Sequence, residues 1–274
     1  MKSINPKLMM LALVLAVSSC KNLYVQKNVF VPLLKEKGEL KVEGTLSREA
    51  VSLNTAYAFS DKFSAMLNGF STIDNSGQYQ RKYNYQLEGA IGYYKVFRDS
   101  IHFESQLGVS KGWFDSNYER SSADFGKLDM DMGIYTYYIL PYYLLLLLNP
   151  QTEMVNATGS YQSAFFQNSI SILTPKSSTT FTARAQYIQF NNYREEGTFN
   201  GQKLWYYINI PPKIFVQPVV TNKIKLYNTI NAVAQFGYNI ALFEGPNHKD
   251  AFHWNNVFYS IGIEVGFDTK RWKR

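Results

Sequence analysis

Apolar and polar side chains alternate along most of this chain from Gly38 onward. Between positions 101 and 110, the odd-numbered residues except Ser105 are apolar, and the even-numbered residues are polar or glycine. Segments 83–93 and 259–267 repeat this period of two. A period of two predicts β-strands with one apolar and one polar face, because successive side chains of a strand point in opposite directions.

The two faces of these predicted strands differ in composition. One face carries aromatic and branched residues, and the other carries glycine, serine, asparagine and glutamine with scattered charges. This division is typical of a transmembrane barrel, whose apolar face contacts lipid and whose polar face lines the lumen. Strands in lipid must form a closed sheet, because an open edge would leave N–H and C=O groups unpaired. The pattern therefore predicts an all-β fold, an antiparallel up-and-down transmembrane β-barrel.

Charged and polar residues on the inward faces are candidates for lining the lumen. Small barrels fill their interiors with side chains, and buried charges need partners. Asp129 and Asp131 share a face and could bind a hard cation, but pairing with Arg184, Lys223 or Lys225 across the lumen is the better interpretation. The lumen-facing candidates are Glu88, His102, Glu104, Asp129, Asp131, Arg184, Lys223, Lys225 and Glu264.

The number of strands depends on the segment between Asp129 and Leu148. Outer-membrane barrels alternate short turns at one end with longer loops at the other, and we expect the chain to reverse once within this segment. Pro141 is the candidate for this reversal, because proline cannot donate a hydrogen bond to a central ladder. The barrel then has about 12 strands, with both termini periplasmic. Without the Pro141 turn and the weak first strand, Glu39–Ser47, it has about 10.

The N-terminus carries the pattern of an export signal. Lys2 and Lys7 precede an apolar run over residues 8–17, small residues follow, and Cys20 is the only cysteine. These features describe a secretory signal peptide, and the cysteine resembles the lipidated cysteine of bacterial lipoproteins. We expect the arm after Cys20 to lie against the periplasmic leaflet beside the lower rim of the barrel. The predicted organisation is a signal peptide at 1–19, a lipidated arm at 20–37, the barrel at 38–267 and a basic tail at 268–274.

Composition narrows the classes of function. The 274-residue chain is 16% aromatic, with 21 Tyr and 19 Phe, and only 18% charged, which favours sheets and membrane interfaces. The net charge of +7 is spread along the chain apart from the basic C-terminal end, so no nucleic-acid role is expected. Because no zinc, phosphate-loop or dinucleotide motif occurs, we expect neither a metal nor a cofactor.

The last predicted strand resembles the C-terminal signal that the barrel-assembly machinery recognises in outer-membrane barrels. Gly262, Val265 and Phe267 occupy its glycine, apolar and aromatic positions. Segments 32–40 and 56–62 resemble small outer-membrane β-barrel lipoproteins of Bacteroidota. The resemblance implies an outer-membrane location and a barrel shape, with the lipid bilayer and the assembly machinery as partners. It implies no particular chemistry.

The sequence leaves three functional hypotheses open. The first is a lipid-anchored integral barrel that acts as a narrow pore, a small-molecule carrier, or a structural or assembly accessory. The second is a peripheral lipoprotein with a soluble β-sandwich that binds glycan or protein, although long aromatic faces argue against it. The third is a lipid-modifying enzyme, with His102 as base and Glu104 on the same face orienting it. No serine is placed as their nucleophile, so we expect no catalytic residues and no enzymatic activity.

Overall fold

β-Strands make up most of the described part of the chain. The structure, a computed structural model, describes residues 28–47, 50–72, 82–97, 100–121, 152–199, 202–207, 211–242 and 257–268. These residues contain no helix that is long and apolar enough to cross a membrane. The strands are β1 (Glu39–Ser47), β2 (Ala50–Ala58), β3 (Phe63–Thr72), β4 (Lys82–Phe97), β5 (Ile101–Ser121), β6 (Thr152–Leu173), β7 (Ser177–Phe199), β8 (Gln202–Tyr207), β9 (Lys213–Lys225), β10 (Ile230–Tyr238), β11 (Ile240–Ala241) and β12 (Val257–Asp268).

Ten of these strands close into one antiparallel barrel. Strands β1 to β7 pair in sequence order, β7 pairs with β9, and β9, β10 and β12 follow in turn. Strand β12 then pairs with β1 from Glu39↔Asp268 to Ser47↔Ser260, which completes the ring. Strand β8 extends β7 as a hairpin, and β11 pairs with β9 just beyond β10. The predicted antiparallel barrel is therefore confirmed.

The main prediction of 12 strands was wrong, and a ten-strand barrel is confirmed. Strands β5 and β6 pair directly from Ile101↔Ile172 to Ser121↔Thr152, so no strand lies between them in the wall. The segment between Asp129 and Leu148, with Pro141, lies outside the described residues. The alternation of short and long connections required a reversal in this segment, but that alternation does not show which neighbour a strand would pair with. The weak first strand, in contrast, is present as β1.

The two ends of the barrel differ in the connections they carry. We call the end where the chain enters β1 and leaves β12 the termini end, and the opposite end the loop end. Strands β5, β6 and β7 have 21, 22 and 23 residues, about twice the number that a tilted strand needs to cross a bilayer. They therefore extend past the short β1 on the loop side. Short connections at the termini end are 59–62, 98–100, 174–176 and 226–229, and the long ones at the loop end are 73–81, 122–151 and 243–256.

The barrel carries its apolar side chains on the outside. Leu67 and Val109 are 63% and 65% exposed, whereas the inward residues Asn54 and Asn68 are 0% and 1% exposed. Soluble proteins rarely leave such a continuous apolar surface in water. The surface matches the lipid-facing band of a transmembrane barrel, and it argues against a soluble β-sandwich.

The closing seam between β12 and β1 has room for no side chain at Gly262. A Cβ atom at Gly262 would lie 2.3 Å from the backbone oxygen of Gly44 and 2.7 Å from the Cγ2 atom of Thr45. Val265 and Phe267 lie on the outward face of β12, half-buried and 38% exposed respectively. Recognition of these three positions by the assembly machinery stays a prediction.

Replacing Gly262 by alanine is expected to weaken the β1–β12 pairing, because the new methyl group forces two backbones apart. The yield of heat-modifiable, folded barrel in outer-membrane extracts should fall. Gly89→Ala is the matched control, since a Cβ atom there would meet only the backbone oxygen of Met66, at 4.0 Å. Equal folded yields of the two variants would contradict this account of the seam.

Candidate functional site

The N-terminal residues 28–34 lie inside the barrel, and we call them the plug. All seven are buried, with Val29, Phe30 and Val31 each 1% exposed and Leu34 fully enclosed. The expectation that the arm lies beside the lower rim is therefore wrong for these residues. Because all seven are buried and none belongs to the sheet, no exposed position alternates with a buried one, and the sequence shows no strand period.

Wall side chains hold the N-terminal half of the plug through its backbone. Gln235 accepts a hydrogen bond from the N–H of Val29 at 2.9 Å and donates one to the carbonyl oxygen of the same residue at 2.6 Å. Gln167 donates to the carbonyl oxygen of Phe30 at 3.0 Å. These bonds satisfy backbone groups that would otherwise be buried without partners.

Near the termini end, Leu34 sits between the two members of the predicted base–orienter pair. Its N–H donates to Oε1 of Glu104 at 3.3 Å, and its carbonyl oxygen is 2.5 Å from Nε2 of His102. A carbonyl oxygen only accepts, so Nε2 of His102 is the protonated nitrogen. The His102 ring also stacks on Tyr94, with centroids 6.2 Å apart and planes 10° apart. Both residues therefore contact the plug.

Small wall residues make room for the apolar side chains of the plug. Phe30 and Leu34 form one buried cluster with alanine, methionine and aromatic residues of β2, β3, β4 and β6. Val29 packs in a second cluster with Val219 and Phe258. The wall members of the larger cluster are Ala56, Ala58, Met66, Ala90, Tyr94 and Phe165. The plug therefore has both apolar contacts and hydrogen bonds with the wall.

Lys223 is the charged centre of the site. Its Nζ atom lies 3.1 Å from Oε2 of Glu43, forms an ion pair with Glu264, and donates to the carbonyl oxygen of Val31 at 2.6 Å. It also lies 5.6 Å from the centre of the Phe30 ring. All three charged side chains are nearly fully buried. Lys223 thus joins β9 to β1, to β12 and to the plug.

A second ion pair crosses the lumen beside the plug. Arg184 donates to both carboxylate oxygens of Glu88, at 2.6 and 3.4 Å, and Asn68 donates to the same carboxylate at 2.8 Å. The guanidinium carbon of Arg184 lies 3.7 Å from the centre of the Phe165 ring. Arg184 and Glu88 lie on β7 and β4, so this pair links strands that are not neighbours in the sheet.

The structure brings most of the candidate lumen residues together but not all of them. Lys225 is exposed instead of lumen-facing, because it is the last residue of β9, where the lumen meets solvent. Asp129 and Asp131 lie outside the described residues, so their pairing stays a prediction. The inward, buried candidates are Glu88, His102, Glu104, Arg184, Lys223 and Glu264.

Sequence reasoning missed Glu43, Gln167 and Gln235. Glu43 lies on the inward side of the weak first strand. Its position between Val42 and Gly44 weakly indicated an inward polar residue. The two glutamines share the inward side of clear strands, yet any polar inward residue shows the same pattern. Their partner is the plug, which has no period to reveal it.

Nearer the loop end, a second group of aromatic and aliphatic side chains covers the inner side of β5, β6, β7 and β9. Tyr161 lies across Gly112, where a Cβ atom would come within 2.1 Å of the tyrosine ring, and its hydroxyl donates to Asn84 at 3.1 Å. It belongs to a buried cluster on β5, β6, β7 and β9. The cluster contains Phe114, Ala157, Tyr161, Ile188, Phe190, Tyr193 and Phe215. Within the described ranges, no group of His, Cys, Asp or Glu side chains is arranged to hold a metal ion.

His102 offers a direct test of how the plug is held. His102→Leu removes the donor to the buried Leu34 carbonyl, and an unsatisfied buried acceptor costs about 1–3 kcal/mol. His102→Gln supplies an amide donor in a similar position and is expected to restore most of the loss. The free energy of unfolding in urea, measured in detergent micelles, distinguishes the two variants. Equal stability of both would show that the bond contributes nothing.

Comparison with known proteins gives similarity in fold only. No protein-family model and no curated protein matches this chain. Several solved structures are similar to it, among them the following three. The outer membrane protease OmpT from Escherichia coli is 6% identical, over 84% of this chain and 93% of that chain, with a TM-score of 0.46. The translocator domain of the autotransporter NalP from Neisseria meningitidis is 10% identical over 84% and 86%, with a TM-score of 0.40. KdgM porin is 9% identical over 84% and 99%, with a TM-score of 0.35. The barrel assignment itself rests on the strand pairing and the apolar outer surface.

Proposed function

We propose that this protein is an integral outer-membrane barrel, lipidated at Cys20 and closed at rest by its own plug, that acts as a structural or assembly accessory. The observation that carries this proposal is the burial of the plug and of the wall around it. A water-filled lumen would leave inward side chains accessible, yet His102 and Leu34 are both 0% exposed. A constitutively open pore is inconsistent with that burial.

The apolar outer surface supports placement in a bilayer, and the connections support an orientation. Outer-membrane barrels carry short turns on the periplasmic side and longer loops outside. The termini end, with its short turns, is therefore proposed to face the periplasm. In the lipidation, the Cys20 thiol loses its proton and forms a thioether bond to the diacylglyceryl group of a phospholipid, whose phosphate head group leaves. The bilayer and the barrel-assembly machinery are the proposed partners.

Planar-bilayer recording tests the closed state. Purified wild-type protein that migrates as a folded, heat-modifiable barrel should give no conductance steps. Cells that lack the protein should nevertheless show altered outer-membrane integrity, such as greater sensitivity to detergent or bile salts. Steady conductance through the folded wild-type barrel would contradict the accessory role and favour a pore.

A gated pore or small-molecule carrier is the second candidate. One observation favours it. The plug lies in the lumen and is not a strand of the wall, and its backbone is held by side-chain hydrogen bonds from Gln235, Gln167 and Lys223. Such a segment can move away from the wall side chains without breaking any strand pairing. This candidate requires conductance to appear when the plug is displaced.

The third candidate, a lipid-modifying enzyme, has less support. His102 is fully buried, and its Nε2 atom bonds to the backbone of the plug, so no substrate reaches it in this state. We therefore propose a non-enzymatic protein. Cells that express His102→Gln should have an unchanged outer-membrane lipid profile, and an altered profile would revive the enzymatic hypothesis.

A further inference from the structure

The plug runs through the lumen in one direction. Leu34 contacts His102 and Glu104, the second and fourth residues of β5, close to the termini end. Val31 contacts Lys223, the third residue from the end of β9. These contacts place the C-terminal half of the plug at the level of the short turns.

The N-terminal half of the plug lies further along the lumen. Val29 contacts Gln235, the sixth residue of β10 counted from its turn at the termini end. Asn28 donates to the hydroxyl oxygen of Thr45 at 3.0 Å, and Thr45 is the seventh of the nine residues of β1. The chain therefore approaches the loop end as it is followed backward from Leu34 to Asn28.

The geometry points to an arm that is threaded through its own barrel, so that the residues before Asn28 emerge at the loop end. Cys20 and its acyl chains would then lie in the leaflet at the loop end, which is the outer leaflet in the proposed orientation. This inference rests on the proposed lipidation and orientation of the barrel. It reverses the expectation of a tether in the periplasmic leaflet.

The available chain length fits this path. Eight residue steps separate Cys20 from Asn28 and span at most about 29 Å. From the level of Thr45, only the last two residues of β1 remain, about 7 Å of strand. Strand β1 has nine residues, close to the ~9–11 that cross a bilayer. Cys20 can therefore reach the leaflet at the loop end.

A return to the termini end is less favourable. From the level of Thr45, the chain would have to run back about 20 Å, the length of the six residues from Thr45 to Glu39, instead of about 7 Å to the loop end. The returning segment would also have to pass the layer where Phe30 and Leu34 are packed against the wall at 1% and 0% exposure. A second chain segment does not fit through a layer packed this closely.

The position of the plug also explains how a lipidated arm enters a closed barrel. The plug contacts Thr45 on β1 and Lys223 on β9, and Lys223 in turn pairs with Glu264 on β12. These contacts surround the seam where the last strand meets the first. An arm laid against the open sheet is enclosed when β12 pairs with β1, so the acyl chains never have to pass through the lumen.

Thiol labelling of intact cells tests the threading. Asn22→Cys should react with a membrane-impermeant maleimide, as should Lys249→Cys in the connection 243–256 at the loop end. Asn228→Cys, in the exposed turn 226–229 at the termini end, should react only after the outer membrane is permeabilised. Labelling of Asn22→Cys only after permeabilisation overturns the inference, and so does its protection in both states.

Separate measurements test the threading, the lipidation, the orientation and the closed state of the barrel. Loss of metabolic palmitate labelling in Cys20→Ala, with labelling in the wild type, supports lipidation, and an unlabelled wild type removes the acyl anchor from the inference. Reversed labelling of Lys249→Cys and Asn228→Cys overturns the orientation, and the outer-leaflet assignment with it. Conductance of the wild type bears on the closed state alone.

Discussion

Deletion of residues 28–34 is expected to open the lumen and to turn a silent barrel into one that conducts ions. The plug supplies Phe30 and Leu34 to the buried cluster and covers the inward charges of β5 and β9. Without it, water replaces these contacts, while every wall strand keeps its partners. Planar-bilayer recording should show conductance steps that the wild type lacks.

The accessibility of Ala58 gives a second readout of the same change. Ala58 is 0% exposed and packs in the cluster with Phe30 and Leu34. Ala58→Cys should resist a water-soluble maleimide in the intact protein and react once the plug is deleted. Protection that persists in the deletion variant would show that the plug is not what covers the wall.

A variant of full length separates the loss of the plug from the shortening of the chain. Phe30→Asp combined with Leu34→Asp places two carboxylates in an apolar cluster, and the penalty in real proteins is several kcal/mol for each ion. The plug should lose its packing against the wall, and conductance and labelling should change in the same direction as in the deletion variant. Lys37→Ala is the control, because Lys37 is exposed just beyond the plug. No change with the double aspartate variant would contradict the packing described for the plug.

The wall of the barrel was predictable because its physics is local. Leu67 and Asn68 are adjacent, and their opposite exposures follow from the alternation of a strand between two solvents. The inward position of Lys223 and Glu264 follows from the same rule. Lys225 was predicted to face the lumen and is exposed instead. The alternation gives the direction in which a side chain points, but it does not show where the lumen opens to solvent.

The plug and the strand count were not predictable in this way. Phe30 and Val31 are buried by residues far away in sequence, and their own neighbours show no period that indicates burial. The count depends on which strands pair, and β5 turned out to pair with β6 across the long connection 122–151. A pattern along one segment reports its faces but does not identify its neighbour.

The charges in the lumen link the wall to the plug. Lys223 contacts Glu43 on β1, Glu264 on β12 and the backbone of Val31. Buried charges persist only where partners compensate for the lost hydration. The closure of the barrel and the seating of the plug therefore depend on the same ammonium group.

Replacing Lys223 by methionine is expected to lower the free energy of unfolding by about 3–5 kcal/mol, the usual result of removing one partner from a buried ion pair. Glu43 and Glu264 would remain as two buried carboxylates facing each other without a cation. Unfolding in urea, measured in detergent micelles, reports the loss. Lys225→Met is the matched control in the same strand, and as an exposed substitution it should change stability by no more than about 0.5 kcal/mol.

Adding Glu43→Gln and Glu264→Gln to Lys223→Met should recover most of that loss, because neutral amides need no cation. The recovery should be incomplete for the plug, since Val31 still lacks its donor, and Ala58→Cys should stay more reactive than in the wild type. Stability and labelling would then separate the two roles of Lys223, at the seam and at the plug. If Lys223→Met behaves like Lys225→Met in both measurements, the ammonium group stabilises neither.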